Sequence, residues 1–185
     1  MKDNRGFSLV EVVIAIAIVA VVTAASSLTY SLISRANVEK GMQILESTMG
    51  KLQTECTSKS QPTYMYVYQD SSDEDYYMKI SKNLYTSVSG IMSDSAEAER
   101  IESASVSVYF IASKAENGVS AGPHQVKGST FVAVTYNKSD SSVMAYMNGT
   151  KKFPISAIQA SGSKKQAKVE IAYETGKVSY SATSI

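Results

Sequence analysis

Glu11 is a single carboxylate at the head of a long uncharged stretch in a chain of 185 residues. Residues 12–34, which follow it, contain no charged residue, no Gly and no Pro. Such a run is long enough to cross a membrane, for which about 20 apolar residues suffice. A charge at the centre of a bilayer costs at least about 2.5 kcal/mol, so an acidic side chain there needs a cationic partner or a function. The pattern therefore predicts that Glu11 forms an ion pair in an apolar environment.

Residues for nucleophilic or metal chemistry are scarce. Cys56 is the only cysteine and His124 the only histidine, so a Cys–His nucleophile would have to use this one pair. One cysteine and one histidine are also a poor basis for a zinc site, which usually has four protein ligands or three plus water. The sequence contains no phosphate-binding loop. We therefore expect no enzyme, no metal site and no cofactor, and the single cysteine excludes a disulfide within the chain.

A hexapeptide joins a short charged leader, residues 1–5, to the apolar run: Gly6-Phe7-Ser8-Leu9-Val10-Glu11. Leader, hexapeptide and apolar run, in this order, resemble the class III signal of type IV prepilins and pseudopilins. The resemblance implies a cut after Gly6 by prepilin peptidase, a membrane enzyme that then methylates the new amine of Phe7. It also implies that Glu11 pairs, during assembly, with the N-terminal amine of a neighbouring subunit.

The same resemblance implies how the chain is organised. Residues 1–6 would be a leader peptide, 7–34 a transmembrane and filament-core helix, and 35–185 an extracytoplasmic pilin-like α+β domain. Lys2 and Arg5 precede the span and, by the positive-inside rule, favour a cytoplasmic N-terminus. The chain would be a single-pass protein of the cytoplasmic membrane before it enters a filament at the cell surface or in the periplasm. Its implied partners are other pilin subunits, prepilin peptidase, the cytoplasmic membrane and the pilus assembly platform.

Alternatives remain for both the N-terminus and the function. A secretory signal would be cut after the apolar region, where Ala24-Ala25-Ser26 offers small residues. A plain membrane anchor would also use the apolar run, but it gives no reason for Glu11. The leading hypothesis for function is a structural subunit, a major or minor pilin, of a type IV pilus-like filament. The alternative is a pseudopilin of a type II secretion apparatus or of a competence apparatus for DNA uptake, which carries the same N-terminal signal.

Beyond the apolar run, hydrophobic residues recur at spacings of four and three, which places them on one face of a helix. We call this face the helical stripe; it consists of Val38, Met42, Leu45, Met49, Leu52 and Cys56. The first proline is Pro62, so one continuous helix is possible from Phe7 to Cys56, although Gly41 and Gly50 weaken it. The stripe needs an apolar surface on which to lie.

The rest of the chain alternates in the manner of strands. The predicted strands are Thr63–Tyr68, Tyr76–Ile80, Ala104–Ala112, Thr130–Tyr136, Ser142–Met147, Lys168–Tyr173 and Lys177–Tyr180. A helix over residues 77–88 is the alternative to the second strand, and Ser93–Ile101 has helical propensity. The predicted fold class is α+β: a long N-terminal α-helix, membrane-spanning in its first half, packed on an antiparallel β-sheet. This is also the type IV pilin-like architecture that the resemblance implies.

Charge is unevenly distributed, although the formal net charge is only +1. Residues 70–102 carry eight acidic and three basic side chains, whereas residues 138–177 carry seven basic and three acidic ones. Blocks of opposite sign could order subunits head to tail, or they could be ordinary solvated surface. The segment 164–168, with three lysines, is the only candidate for contact with DNA. We expect it to be a solvated loop, so nucleic acid is not an expected partner.

We expect the chain to be cut between Gly6 and Phe7 in its native host. Intact-mass measurement should show the loss of residues 1–6 and the gain of one methyl group on Phe7. Gly6→Val should block processing, because a side chain beside the scissile bond obstructs close approach of the backbone, and Gly6→Ala is the milder control. Retention of the leader, or a cut after Ala25, would contradict this assignment.

Overall fold

The computed structural model describes residues 9–58, 61–103, 105–163 and 165–185, and for residues 25–35 it describes the backbone alone. The chain divides into two compact units, Met1–Ala36 and Asn37–Ile185. A single helix, α1, comprises Leu9–Ser58. The predicted continuous helix is therefore confirmed from Leu9 onward.

The second unit contributes the strands and a short second helix. Their bounds are β1 Tyr64–Gln69, β2 Tyr76–Ser81, α2 Val88–Ser93, β3 Ala98–Glu102, β4 Ser107–Ala112, β5 Gly122–Gln125, β6 Val132–Tyr136, β7 Val143–Met147, β8 Lys151–Phe153, β9 Ile155–Ser161, β10 Lys165–Ala172 and β11 Lys177–Ser184. The hairpins β1–β2, β6–β7 and β10–β11 lie where the alternation predicted them. The helical alternative for residues 77–88 is wrong, because β2 occupies its first half.

The strands form two antiparallel sheets. The six-stranded sheet has the order β3-β2-β1-β6-β7-β8 and the five-stranded sheet the order β11-β10-β9-β4-β5. The predicted single sheet is therefore wrong. The strands do not simply pair in chain order either, because β1 pairs with β6 and β4 pairs with β9 over long connections. Strands β3, β5, β8 and β9 lie outside the predicted set, and β9 is the central strand of its sheet.

The helical stripe lies in the main core of the second unit. All six of its side chains are between 0% and 3% exposed. They belong to one cluster with residues of both sheets, among them Val134 of β6 and Val169 of β10. The predicted stripe is confirmed, and the apolar surface that covers it comes from two sheets.

A second, smaller cluster lies on the other face of the six-stranded sheet. Along β1, Met65 and Val67 belong to the main core, whereas Tyr66 and Tyr68 belong to the second cluster. Alternate residues of a strand point to opposite faces, which explains this division. The Tyr66 hydroxyl donates to the Asn83 carbonyl at 2.6 Å and accepts from the backbone N–H of Tyr85 at 2.9 Å. The polar end of the buried Tyr66 is thus satisfied within the fold.

The predicted helical propensity of residues 93–101 is not realised. Helix α2 ends before Asp94, whose backbone is extended with φ −66° and ψ 139°. The Asp94 carboxylate accepts hydrogen bonds from the hydroxyls of Ser81 and Tyr85, and β3 then pairs with β2 as an edge strand. Helix propensity differs by at most about 0.7 kcal/mol per ordinary residue. The pairing of β3 with the edge of the sheet at β2 therefore outweighs the helix propensity of this segment.

The membrane-spanning part of the prediction falls on α1. Across the described part of the chain, no helix combines the length and the apolar character needed to cross a membrane. The predicted span, residues 7–34, includes residues 7 and 8, which lie outside the described residues, and residues 25–34, whose side chains lie outside the description. The span stays a prediction.

The two glycines of α1 differ in their surroundings. A Cβ at Gly41 would overlap the carbonyl oxygen of Ile101 and lie 3.0 Å from Oε1 of Glu102. A Cβ at Gly50 would meet nothing within 4 Å. Gly41 therefore permits the close approach of β3 to the helix, whereas Gly50 only weakens the helix.

Residues 35–185 are expected to fold without the segment that precedes them, because the stripe and both sheets bury their core within Asn37–Ile185. A chain that starts at Arg35 should be soluble and monomeric and should unfold in one cooperative transition. Circular dichroism during urea denaturation is the measurement. A gradual loss of signal without a cooperative transition would show that the first unit is needed for folding.

Gly41→Ala and Gly50→Ala should change stability in opposite directions. The first places a methyl group against the Ile101 carbonyl and should lower the free energy of unfolding by about 1–3 kcal/mol, as overpacking does. The second should raise the free energy of unfolding by roughly 0.5–1 kcal/mol, because Ala has the higher helix propensity. Urea denaturation of both variants is the measurement. Equal effects would show that β3 does not need Gly41.

Candidate assembly segment

The first part of α1 exposes a continuous aliphatic surface. Relative exposure runs from 46% at Val12 to 82% at Leu9 among its large aliphatic side chains. These side chains are Leu9, Val10, Val12, Val13, Ile14, Ile16, Ile18, Val19, Val21 and Val22. Full burial of one such side chain is worth about 1.5–3 kcal/mol. An exposed apolar surface of this extent is typical of sites that contact a partner molecule or a lipid membrane.

Only two polar side chains interrupt residues 9–24. Thr23 donates its hydroxyl to the carbonyl of Val19, four residues earlier, so its polar group is satisfied within the helix. Glu11 lies in the first turn of the helix and is exposed. A carboxylate at this position interacts favourably with the helix dipole. The segment thus presents one acidic group at the start of an otherwise apolar surface.

The predicted cleavage site and the methylated residue, Gly6 and Phe7, lie outside the described residues. Of the three predicted site residues, the structure therefore places Glu11 alone. It places this residue at the start of the exposed apolar segment, and the role of Glu11 in assembly stays a prediction.

The two residues considered for a nucleophilic pair have separate surroundings. Cys56 is buried in the stripe, where its Sγ donates to the Thr63 carbonyl at 3.3 Å. His124 is half-buried on β5, and its ring stacks on Phe110 with centroids 5.1 Å apart. No group of three or more His, Cys, Asp or Glu side chains that could hold a metal ion occurs among the described residues.

The lysine-rich segment 164–168 is not the predicted loop. From Lys165 onward it forms the start of β10, while Lys164 lies outside the described residues. Lys165 forms an ion pair with Glu39 of α1, and the Lys168 ammonium lies 2.9 Å from a carboxylate oxygen of Glu170. The two described lysines of this segment, Lys165 and Lys168, thus already have an acidic partner.

Glu102 is a notable residue that the sequence analysis did not single out. It is 2% exposed, and neither carboxylate oxygen has a hydrogen-bond partner. Burial raises the pKa of its carboxyl group from the ordinary 4.5 to about 8, against a smaller lowering by the charge of Arg100. No signal in the sequence distinguishes Glu102 from Glu97 and Glu99, which are exposed. Only the fold identifies it.

Comparison with known families gives one match. Residues 1–27 match the family described as the prokaryotic N-terminal methylation motif. This motif is the class III signal of type IV prepilins and pseudopilins, so the resemblance carried by Gly6–Glu11 is confirmed. The match does not extend to residues 28–185. Neither the curated proteins nor the solved structures give a match to the chain.

The stability of the protein is expected to depend on pH through Glu102. Its pKa of about 8 lies above the ordinary 4.5, so the folded state binds the proton more tightly than the unfolded chain does. The free energy of unfolding should therefore fall as pH rises from 4.5 to about 8. This group contributes at most about 1.4 kcal/mol of that fall per pH unit.

Glu102→Gln removes the titration and should be more stable than the wild type at pH 8 but similar to it at pH 4. The measurement is urea denaturation at both pH values, with the exposed Glu97→Gln as the matched control. A difference between variant and wild type that is the same at both pH values would mean that Glu102 titrates normally.

Proposed function

Because residues 1–27 carry the N-terminal methylation motif, we propose that this chain is a structural subunit, a major or minor pilin, of a type IV pilus-like filament. The observation that carries the proposal is the exposed aliphatic surface from Leu9 to Val22, headed by Glu11. A surface of this kind is stable in a membrane or in the core of a helical filament. The proposal therefore assigns residues 7–34 to the membrane before assembly and to the filament core after it.

The assembly step follows from the chemistry of the N-terminus. Prepilin peptidase removes residues 1–6 and leaves a free, then methylated, amine on Phe7. Glu11 lies four residues further on, about 6 Å along a helix at 1.5 Å per residue. A carboxylate that enters an apolar filament core must be paired, and the N-terminal amine of an adjacent subunit supplies the cation. Because only one axial offset between helices brings the two groups together, the pair would set the register.

The second unit supports the proposal through its architecture. It combines the stripe of α1 with antiparallel sheets, an α+β arrangement that is compatible with a pilin-like domain. In this proposal residues 35–185 lie outside the cytoplasmic membrane, with the N-terminus inside, and form the outer part of the filament. The domain performs no catalysis, and the proposal includes neither a cofactor nor nucleic acid as a partner.

A pseudopilin of a type II secretion or competence apparatus carries the same motif and is the alternative. The two functions differ in where the assembled protein is found. A pilin should appear in filaments that shearing removes from the cell surface, whereas a pseudopilin should stay in the cell envelope at native expression levels. Immunoblotting of the sheared and the cell-bound fractions distinguishes them.

Glu11 is expected to be required for assembly and dispensable for cleavage. Glu11→Gln removes the charge with little effect on the helix. The yield of sheared filaments should fall at least about tenfold, because breaking a buried ion pair costs about 3–5 kcal/mol. Glu11→Asp keeps the charge on a shorter side chain and should assemble at a reduced level. Filament yield is measured beside a blot of processed protein in the membrane fraction.

The matched control is Glu97→Gln, the same chemical change at an exposed residue of the second unit. It should be processed and assembled as the wild type is. Wild-type filament yield from Glu11→Gln would show that another contact sets the register. A loss of processing in Glu11→Gln would instead show that the residue acts in recognition by the peptidase.

A further inference from the structure

A cavity of about 310 Å³ lies between α1 and β3, and Glu102 is part of its wall. Its volume is at the lower end of the range for small-ligand sites, about 300–1,000 Å³. Its lining includes Lys40 and Ile44 of α1 and Glu99, Arg100, Ile101 and Glu102 of β3. All of them belong to the Asn37–Ile185 unit.

A β-bulge turns Glu102 inward. Tyr77 of β2 pairs with Arg100, and the next β2 partner, Tyr76, pairs with Glu102, so Ile101 is the extra residue. Ile101 and Glu102 are consequently both buried, although neighbours in a regular strand point to opposite faces. Bulges re-aim individual side chains and are common beside functional sites. Gly41 leaves room for the inward-facing side chain of Glu102, since a Cβ on residue 41 would lie 3.0 Å from Oε1 of Glu102.

The unpaired carboxylate indicates what the cavity binds. Without a partner the Glu102 carboxyl group stays protonated up to a pKa of about 8, because its buried charged form is destabilised. A ligand that supplies N–H donors and a positive charge would stabilise the ionised carboxylate. The charged groups that line the cavity are Glu99 and Glu102 against Lys40 and Arg100, and Arg100 also forms an ion pair with Asp75 at 2.8 Å. Because Arg100 is paired with Asp75, the two carboxylates Glu99 and Glu102 face only the ammonium of Lys40, and the remaining negative charge suits a monovalent cation. A calcium ion would require six to eight oxygen ligands, and only two acidic side chains, Glu99 and Glu102, line the cavity.

We propose that this cavity is a binding site for an alkylammonium group, with Glu102 as its ion-pair partner. An ammonium offers three N–H donors to the two carboxylate oxygens. Its aliphatic stem can lie against the apolar side chains of Ile44 and Ile101. Two sources have this chemistry: a free alkylamine, and a lysine side chain of a second copy. The second source rests on the proposed filament, and the basic block 138–177 supplies lysines for it.

The direct test uses n-butylammonium chloride with the full-length chain in nonionic detergent. The midpoint of thermal unfolding should rise with n-butylammonium concentration and saturate. Tetramethylammonium chloride has the same charge but no N–H donor, and it should give no saturable shift. In Glu102→Gln, the n-butylammonium concentration that gives half of the maximal shift should rise at least about tenfold. The exposed Glu97→Gln should leave that concentration unchanged. An equal response to both salts, or an unchanged response in Glu102→Gln, would overturn the proposal.

Lys40, which also lines the cavity, is a competing ion-pair partner for Glu102. If Lys40 of the same chain pairs with Glu102 in solution, n-butylammonium should stabilise Lys40→Met but not the wild type. That outcome would overturn the proposal. Stabilisation of the wild type as well as of Lys40→Met supports it.

Carbodiimide cross-linking of filaments assembled from mixed ¹⁴N and ¹⁵N subunits identifies the source. The reagent condenses a carboxyl group with an amine in contact to form an amide, and the oxygen removed from the carboxyl group leaves in the urea by-product. A cross-linked peptide that joins Glu102 to a lysine of differently labelled chains supports a second copy as the source. A cross-link to Lys40 within one chain overturns the proposal. Saturable n-butylammonium binding without an intermolecular cross-link supports a free alkylamine. The response to n-butylammonium needs no filament, so its failure is distinguishable from a failure of the filament proposal, on which only the cross-linking measurement depends.

Discussion

Burial of the helical stripe is the interaction on which the second unit depends. The six stripe residues, from Val38 to Cys56, lie in one core with residues of both sheets. Each sheet has an apolar face that must be buried from solvent, and the stripe of α1 lies in the core that both faces share. The close approach of β3 to α1 at Gly41, the bulge beyond it and the cavity beside Glu102 are all features of the same packed unit.

Two parts of one helix have opposite relations to solvent. From Val38 onward α1 is amphipathic and buries its apolar face within the second unit, whereas from Leu9 to Val22 its aliphatic side chains are exposed. A helix that is apolar all round belongs in a membrane or in the centre of an assembly. This contrast links the folded unit to the proposed function, because one segment stabilises the subunit and the other remains available for contacts outside it.

Glu102 illustrates how the fold gives a residue properties that its type does not predict. Glu97, Glu99 and Glu102 are close in sequence, yet only the last is buried. The bulge in β3 and the missing side chain at Gly41 produce this difference. Burial then raises the pKa of the carboxyl group, because the charged form loses its hydration.

The sequence by itself determined the features that depend on neighbours along the chain. These are the methylation motif at residues 1–27, the helix with its buried stripe, and the hairpins whose turns connect adjacent strands. The tertiary structure decided the pairings β1–β6 and β4–β9, the division into two sheets and the conversion of residues 98–102 to a strand. Local patterns fix turns and faces, but they do not specify which distant edge a strand will meet. That choice depends on closing long loops and burying several apolar faces at once, which is a property of the whole packed unit.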